Sequence, residues 1–468
     1  MKTITIKQKI TALTAAAGAL LLAGCVNLAP EHQRPAAPVA ADWPAPAAST
    51  GQAAAELSWQ NFYAGDARLR ELIGLALRNN RDLRTALLNV EQARALARVA
   101  DANRYPTVGV GFTSSRTPGA KDTINSSYQA GLQVAAYELD LFGKLRNYSD
   151  AAAARYLATA EGSRAAQIAL VAGVASTHLA LQADTEMLEL SRQTVESRED
   201  SLRLIRLKYD AGSASLLDLN SAESAAAGAR ATLAQNQRQR AQDENALVLL
   251  IGQPLPADLP PGRPLAAQAL PDVPAGLPSE VLVGRPDVLQ AEQQLIAANA
   301  NIGAARAAFF PSISLTASAG TASTQLSELF SNTVWSFGSQ ILLPIFDAGR
   351  NQANLDAARA AQGAAVAQYE KAVQTAFREV ADALAGRATF GEQLRAQAEL
   401  ARAENERLRL IELRYQQGVS NSLDLRDAQR SAFLAQQALV QVRLAQLLNS
   451  VQLYKALGGG LVEANGKG

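Results

Sequence analysis

This sequence has little cysteine, little histidine and almost no net charge. Its 468 residues include one cysteine, Cys25, and two histidines, which excludes an intrachain disulfide and a His/Cys cluster for zinc or iron. Carboxylate metal sites stay open on these grounds. Lysine and arginine total 44 and aspartate and glutamate 43, so the basic excess typical of nucleic-acid binding is missing. We expect no metal, no cofactor and no nucleic-acid partner.

Common catalytic motifs are also missing. The chain has no G-x-S-x-G nucleophile turn, no G-x-x-x-x-G-K phosphate loop and no H-E-x-x-H metal pair. With 48% apolar and 19% charged residues, the composition is still that of a folded protein. The sequence therefore favours a folded protein that is not an enzyme.

The N-terminus has the pattern of an export signal. Lysines precede an apolar run, residues 10–22, that is too short to span a bilayer as a helix. The run ends in Leu22-Ala23-Gly24-Cys25, which looks like the lipobox of bacterial lipoproteins, and Val26 stands where an aspartate tends to retain such proteins at the inner membrane. We expect a signal peptide at residues 1–24 and a lipidated Cys25 at the outer membrane. A buried, inert cysteine is the alternative.

The chain contains two copies of one unit. Landmarks recur in the same order about 205 residues apart: Asp82 and Asp287, Tyr105-Pro106 and Phe310-Pro311, Gly212 and Gly418, Leu217-Asp218-Leu219 and Leu423-Asp424-Leu425. The organisation predicted from this duplication is an N-terminal anchor segment at 25–80, repeat 1 at 81–253, a proline-rich linker at 254–286, repeat 2 at 287–458 and a tail at 459–468.

Each repeat contains two segments that alternate between apolar and polar residues. These segments, residues 107–116, 127–138, 312–320 and 334–344, predict β-strands. Strands of about ten residues match the length that crosses a bilayer when tilted, although a soluble sandwich would also alternate. Four strands cannot close a barrel, and an open sheet edge in lipid is costly, so spanning demands further copies of the chain. Three copies would supply about twelve strands.

Each repeat also contains a very long helix. No proline occurs between Pro118 and Pro254, or after Pro344, so residues 145–210 and 349–416 can each be one helix. At 1.5 Å per residue the first would extend roughly 95 Å, over twice the thickness of a bilayer, and so must project into water. Apolar residues spaced by seven predict that the helices pack as left-handed coiled pairs.

A tight turn and a return helix follow each long helix. Gly212 and Gly418 come just after the long helices, where a left-handed residue is needed. Ser215 and Asn421 can then cap return helices at 215–251 and 421–456. The fold class predicted is therefore an α+β membrane protein in which each repeat ends in a helical hairpin.

Together these residues resemble a known family. The lipobox, the duplicated strand pairs, the Tyr-x-x-Gly turns followed by Leu-Asp-Leu, and Pro-Ile-Phe-Asp-x-Gly-Arg at 344–350 resemble the outer-membrane factors (TolC-like) of RND-type multidrug efflux pumps. The resemblance covers nearly the whole chain. It implies a homotrimer with a twelve-stranded β-barrel, a periplasmic α-helical barrel, and an equatorial collar made by 25–80, 254–286 and the tail.

The resemblance also implies partners and two functional surfaces. The partners are a periplasmic adaptor protein, an inner-membrane RND transporter and outer-membrane lipid. A periplasmic gate is expected at Leu423, Asp427, Arg430, Arg414, Tyr415, Asp210 and Asp218, and adaptor docking at the hairpin tips Gly212, Ser213, Ala214, Gly418, Val419 and Ser420.

The sequence alone leaves alternatives open for the gate residues and for the function. Leu423, Asp427 and Arg430 share one helix face, but Asp427 and Arg430 could also simply pair within their own helix. We expect a passive exit duct for drugs and other small molecules. An outlet for type I protein secretion and a structural coiled-coil lipoprotein are the alternatives.

Overall fold

A computed structural model describes residues 27–44, 53–119, 124–275 and 282–461. The predicted signal peptide, Cys25 and most of the C-terminal tail therefore lie outside the described residues. The helices, in chain order, are α1 (Trp59–Phe62), α2 (Ala67–Asn79), α3 (Arg81–Ala102), α4 (Lys144–Asp210), α5 (Leu216–Ile251), α6 (Pro286–Ala307), α7 (Arg350–Gln416) and α8 (Ser422–Ala456). The strands are β1 (Gly109–Pro118), β2 (Ile124–Leu139), β3 (Ser312–Ser323) and β4 (Thr333–Leu342).

The four strands form one antiparallel sheet in the order β1-β2-β3-β4. Each pair is nearly in full register, apart from a bulge between Val134 and Tyr137 where β2 meets β3. Within the described residues β1 pairs only with β2, and β4 only with β3. The sheet therefore has two open edges, each about ten residues long.

The two faces of the sheet differ in polarity. Directly paired residues lie on the same face, so the register places Val110, Leu132, Ala319 and Trp335 in one row across all four strands. Val110 and Trp335 are 83% and 79% exposed. On the opposite face Ser318 pairs with Ser336, and their hydroxyls are 2.7 Å apart. One face is thus apolar and exposed, and the other is polar.

Glycines line up across the polar face. Gly111 pairs with Gly131, and Gly131 pairs with Gly320. A Cβ on Gly131 would lie 2.4 Å from the carbonyl oxygen of Ala319, and a Cβ on Gly320 would lie 2.1 Å from that of Ala130. The backbones of β2 and β3 therefore approach more closely here than any side chain would allow.

The two long helices contain 67 residues each, and their return helices contain 36 and 35. The bounds of the long helices, the return helices and the strands differ from the sequence expectations by three residues or fewer. Of the described helices, only α4 is long and apolar enough to cross a bilayer, and half of its apolar window is buried within the chain. Val171, Val174 and Leu179 of α4 are buried in the chain, as is typical of a core helix.

The chain divides into two compact units that do not coincide with the sequence repeats. Among the described residues, unit 1 comprises those within 27–36, 89–160 and 290–371, and unit 2 comprises those within 37–88, 161–289 and 372–461. Both units draw on both repeats. The reason is that the sheet pairs a strand of repeat 1 with a strand of repeat 2, and the hairpins of the two repeats also contact each other.

Unit 1 contains the sheet and an N-terminal segment that is held by ion pairs. Arg34 donates two hydrogen bonds of 2.7 Å to the carboxylate of Glu292, which is nearly buried. Arg306 donates to the carbonyl oxygen of Leu28. Below the sheet, Phe142 stacks on Phe310 with ring centroids 4.5 Å apart. The contacts of Arg34 and Arg306 fix the N-terminal segment against α6.

Unit 2 contains the main hydrophobic core. Phe62 stacks on Tyr454 with ring centroids 3.9 Å apart, and the Tyr454 hydroxyl donates to the carbonyl oxygen of Leu57 at 2.6 Å. The proline-rich linker packs onto this core, since Leu265 is buried and its amide donates to Glu186. The linker is therefore ordered by specific contacts at these residues.

A buried histidine–aspartate pair anchors the N-terminal end of α2. Asp66 caps this helix by accepting from the amide of Leu69, and it also accepts from Nε2 of His178, 3.0 Å away, and from Gln268 of the linker. Burial alone would raise the pKa of Asp66, but these hydrogen bonds outweigh it and lower the pKa to about 2. One carboxylate thus joins α2, α4 and the linker.

Replacing Asp66 should destabilise unit 2. In Asp66→Ala the helix loses its cap and His178 loses its partner, so the free energy of unfolding should fall by about 2–4 kcal/mol. Asp66→Asn keeps a capping oxygen and should lose less. Thermal unfolding followed by circular dichroism measures this, with Asp258→Asn, an exposed linker change, as the control.

The lowered pKa of Asp66 also predicts that its stabilising contribution is lost in acid. Because the folded pKa of about 2 lies below the ordinary value of 3.8, the contribution of Asp66 is complete above the higher value and is lost as the pH falls toward the lower one. Wild type and Asp66→Asn should therefore converge in stability at low pH. This role would be contradicted if the difference in free energy of unfolding between wild type and Asp66→Asn stayed constant with pH. An Asp66→Ala variant as stable as Asp258→Asn would also contradict it.

Candidate functional site

Both helical hairpins turn through the same backbone motif. The amide of Gly212 donates to Tyr209 at 2.8 Å and that of Ser213 to Lys208 at 2.8 Å, which is the hydrogen-bond pattern of a Schellman motif. Gly418 and Val419 repeat the pattern with Tyr415 and Arg414. Both glycines are left-handed, with φ of 73° and 72°, so the predicted role of each glycine in its turn is confirmed.

The return helices begin at the predicted caps. The hydroxyl of Ser215 accepts from the amide of Asp218, and the Asp218 carboxylate accepts from the amide of Ser215, which completes a capping box. Asn421 caps α8 by accepting from the amide of Asp424 at 2.8 Å. At each hairpin tip, hydrogen bonds therefore close both the end of the long helix and the start of the return helix.

The two tips contact each other through Asp218. Its carboxylate accepts a 2.8 Å hydrogen bond from the hydroxyl of Ser422, the first residue of α8. Hydrogen bonds from Ser215 and Ser422 lower the pKa of Asp218. Nearby, the ammonium group of Lys208 lies 4.9 Å from the ring centroid of Tyr415. Of the predicted gate residues, Asp218 and Tyr415 therefore join the first hairpin to the second.

Asp427 lies at the centre of an ion-pair cluster. Its two carboxylate oxygens accept 2.7 Å hydrogen bonds from Arg407 of α7 and from Arg430 of α8. Arg407 also donates to Glu404 on its own helix at 3.0 Å. The hydrogen bonds from Arg407 and Arg430 lower the pKa of Asp427, so it stays ionised near neutral pH. The cluster thus links the two helices of the second hairpin.

The sequence left two interpretations of Asp427 open, a contact at the gate or a simple ion pair within its own helix. The pair with Arg430 within α8 is present, as the simpler alternative had it. The pair with Arg407 is between helices, and the sequence reasoning missed this residue. A signal for it exists, because residues 407 and 427 are nearly equidistant from the turn at Gly418 and so face each other in an antiparallel hairpin.

The remaining predicted gate residues make fewer contacts. Asp210 and Arg414 are exposed, and Leu423 is 66% exposed. In the part of the chain that the structure describes, Asp210 and Arg414 form no ion pair. The carbonyl oxygen of Arg414 instead accepts the hydrogen bond that closes the turn.

The predicted docking tips lie at the surface. Gly212, Ser213, Gly418 and Val419 are exposed, while Ala214 and Ser420 are half-buried. Val419 is 66% exposed, a large value for an apolar side chain in so ordered a turn. The tips therefore present small side chains and one apolar side chain on a fixed backbone.

Comparison with known proteins gives one consistent result. The family model described as outer membrane efflux protein matches the chain twice, over residues 72–253 and 277–459. The chain is 47% identical to a probable efflux pump outer membrane protein, TtgC, of Pseudomonas putida, over 97% of its own length and 96% of that protein. It is 46% identical to the outer membrane protein OprJ of Pseudomonas aeruginosa, over 94% and 95%.

A solved structure agrees with these relatives. The open state of the Neisseria gonorrhoeae MtrE outer membrane channel superimposes with a TM-score of 0.86 at 41% identity, covering 93% of this chain and 99% of that one. These names describe channels and efflux rather than catalysis. They confirm the outer-membrane location and the efflux function predicted from the sequence. The chain belongs to the outer membrane efflux protein family.

Proposed function

We propose that three copies of this chain form the exit duct of a tripartite RND-type pump, with the four-stranded sheet as one third of a twelve-stranded barrel. The observation that carries this proposal is the sheet itself. It has two open edges and an apolar face whose largest side chains are exposed. In lipid each unpaired backbone group would cost several kcal/mol, and pairing β1 of one copy with β4 of the next removes both edges.

The internal duplication is part of the same proposal. The family model matches the chain twice, and each match contains one strand pair and one helical hairpin. Six hairpins from three copies would then surround the axis in two alternating kinds. These hairpins are proposed to form a helical duct, with a periplasmic adaptor protein and an inner-membrane transporter as partners.

The cargo is proposed from the relatives' names. Related proteins of Pseudomonas putida are named as antibiotic, solvent and toluene efflux proteins, at 47 to 49% identity. Small organic molecules with a large apolar part are accordingly the proposed cargo here. The polar inner face, with its paired serines, provides a surface along which such molecules pass without binding tightly.

A matched pair of substitutions tests the barrel. Lysine at Trp335 would place a charge in lipid at a cost of about 2–4 kcal/mol near the midplane, so Trp335→Lys should reduce the yield of assembled trimers. Ser336→Lys lies on the opposite face and should assemble normally, yet change ion selectivity in planar bilayers. Trp335→Leu controls for the lost ring. Equal tolerance of both lysines, together with a protein that does not conduct, would favour a soluble sheet.

The gate is proposed to lie at the cluster around Asp427. The pair with Arg407 holds α8 against α7 close to the tip, and the contact between Asp218 and Ser422 holds the neighbouring hairpin. Opening requires these exposed pairs to separate, and an adaptor at the tips would promote that movement by binding the separated form better. The small side chains of Gly212, Ser213, Ala214, Gly418, Val419 and Ser420 are the proposed contact surface.

Breaking the pair between helices should open the gate. Arg407→Ala and Asp427→Ala should each raise single-channel open probability or antibiotic leakage by roughly two- to fivefold, as expected for an exposed ion pair. Arg430→Ala should do less, since its bond lies within one helix. The control is Arg409→Ala on the same helix, because the one ion pair of Arg409 among the described residues is with Glu406, one turn away. Equal effects of Arg407→Ala and Arg409→Ala on conductance would show that the gate does not lie at the cluster around Asp427.

We also propose that Cys25 carries the lipid anchor. Labelling with radioactive palmitate should mark the wild type and leave Cys25→Ser unlabelled, while trimers still form through the barrel. Several acyl chains are needed for stable anchoring, because one chain alone binds only marginally. A labelled Cys25→Ser variant, or an unlabelled wild type, would refute the anchor.

A further inference from the structure

A cavity lies between the two helical hairpins near their tips. Its volume is about 490 Å³, which is in the range of sites for small molecules. Helices α4 and α5 form one side, and α7 and α8 form the other. Its polar lining includes Arg198, Ser197, Gln429, Ser422, Arg426 and Glu412.

Arg198 enters this cavity from α4 and is held by a buried amide. Its guanidinium donates to the side-chain oxygen of Gln429, which is 8% exposed. The nitrogen of the same amide donates to the hydroxyl of Ser197 at 3.4 Å, so the amide is oriented from both ends. A guanidinium has five N–H donors, and this contact uses one of its nitrogens.

Arg426 enters the cavity from α8. Its guanidinium donates to the carbonyl oxygen and to the hydroxyl of Ser422, at 3.1 and 3.5 Å. Among the described residues neither Arg198 nor Arg426 forms an ion pair with a carboxylate. Burial and the positive charge of Arg426 lower the pKa of Arg198. Two like charges therefore line one partly buried cavity, and each disfavours the other.

Among the described residues, no carboxylate at or near the cavity forms an ion pair with either arginine. Asp200, which lines the cavity, pairs with Arg203. Asp218 lies just outside the lining; its carboxylate is hydrogen-bonded to Ser215 and Ser422, and the positive charge of Arg426 contributes to lowering its pKa. Burial raises the pKa of Glu412, which forms no ion pair among the described residues. Glu196 is exposed at the rim. The guanidinium donors thus remain available to an anion.

We propose that this cavity binds a small oxyanion from solution, a phosphate or carboxylate group, between the guanidinium groups of Arg198 and Arg426. Planar guanidinium groups match both kinds of oxyanion through paired N–H donors. The apolar side chains of Leu204 and Leu425 line the rest of the cavity and leave room for an organic body on the anion. Since Arg198 belongs to the first hairpin and Arg426 to the second, a bound oxyanion ties the two hairpins together.

Isothermal titration calorimetry on the full chain in detergent tests this site. Inorganic phosphate and citrate are titrated separately at constant ionic strength against chloride, and the two arms distinguish phosphate from carboxylate ligands. The variants are Arg198→Gln and Arg426→Gln. The control is Arg395→Gln, which removes an exposed arginine of α7 that pairs with Glu392 on its own helix.

The proposal requires saturable binding of phosphate or citrate to wild type and to Arg395→Gln, with affinity about tenfold or more weaker in each of the other two variants. Undetectable binding to wild type, or equal binding by all variants, would overturn it. Calorimetry measures binding and does not depend on conductance. A failure of the anion-site proposal is therefore distinguishable from a failure of the exit-duct function.

Melting temperatures in chloride buffer control for folding. Because Arg198 and Arg426 repel each other, Arg426→Gln should melt no lower than wild type when phosphate and citrate are absent. Added phosphate or citrate should raise the melting temperature of wild type but not that of Arg426→Gln. Arg198→Lys keeps the charge but loses the planar fork, and so should bind more weakly than wild type. A wild type that melts at one temperature with and without these anions would count against the site.

Discussion

The sheet depends on one constraint, the need of every backbone N–H and C=O group for a hydrogen-bond partner. In the single chain this need is met between β1 and β2, β2 and β3, and β3 and β4, and it is unmet along the outer edges. Water can satisfy such an edge but lipid cannot. The apolar face that carries Val110 and Trp335 is suited to lipid, so the edges and the face make incompatible demands on a monomer. In the proposed trimer both demands are met at once.

The helices follow a different constraint, the cost of interrupting a long run of internal hydrogen bonds. Alanine-rich sequence without proline lets α4 and α7 continue for 67 residues, and each ends only where a left-handed glycine is provided. The interactions that hold the helices change along their length. Near the hydrophobic core of unit 2 the pairs are partly buried: the buried Arg285, for example, donates to Asp287, to Glu379 and to the carbonyl oxygen of Ala456. Near the tips the ion pairs are exposed.

Features that depend on a few neighbouring residues could be predicted from the sequence, and features that depend on distant parts of the chain could not. The alternation of apolar residues, the glycine turns and the caps at Ser215 and Asn421 each depend on a few neighbouring residues, so their positions could be predicted. The bulge in β2 and the close approach of Gly131 to Gly320 depend on how strands of different repeats meet, which no local pattern encodes. Arg407 was missed because its partner lies across the turn, so the pair appears only when distances are counted from Gly418 in both directions.

The difference between buried and exposed pairs bears on how the tips move. An exposed ion pair is individually weak and is replaced by water when it opens, so the cluster at Asp427 opposes separation of the helices without locking them. The contact between Asp218 and Ser422 is also accessible to water. The like charges of Arg198 and Arg426 act in the opposite sense, because they disfavour each other, and an anion at the proposed site would offset this repulsion. Several weak contacts therefore hold the two hairpins together at their tips, and one pair of like charges opposes them. A docked partner or a bound anion would need little free energy to shift the equilibrium between the joined and the separated tips.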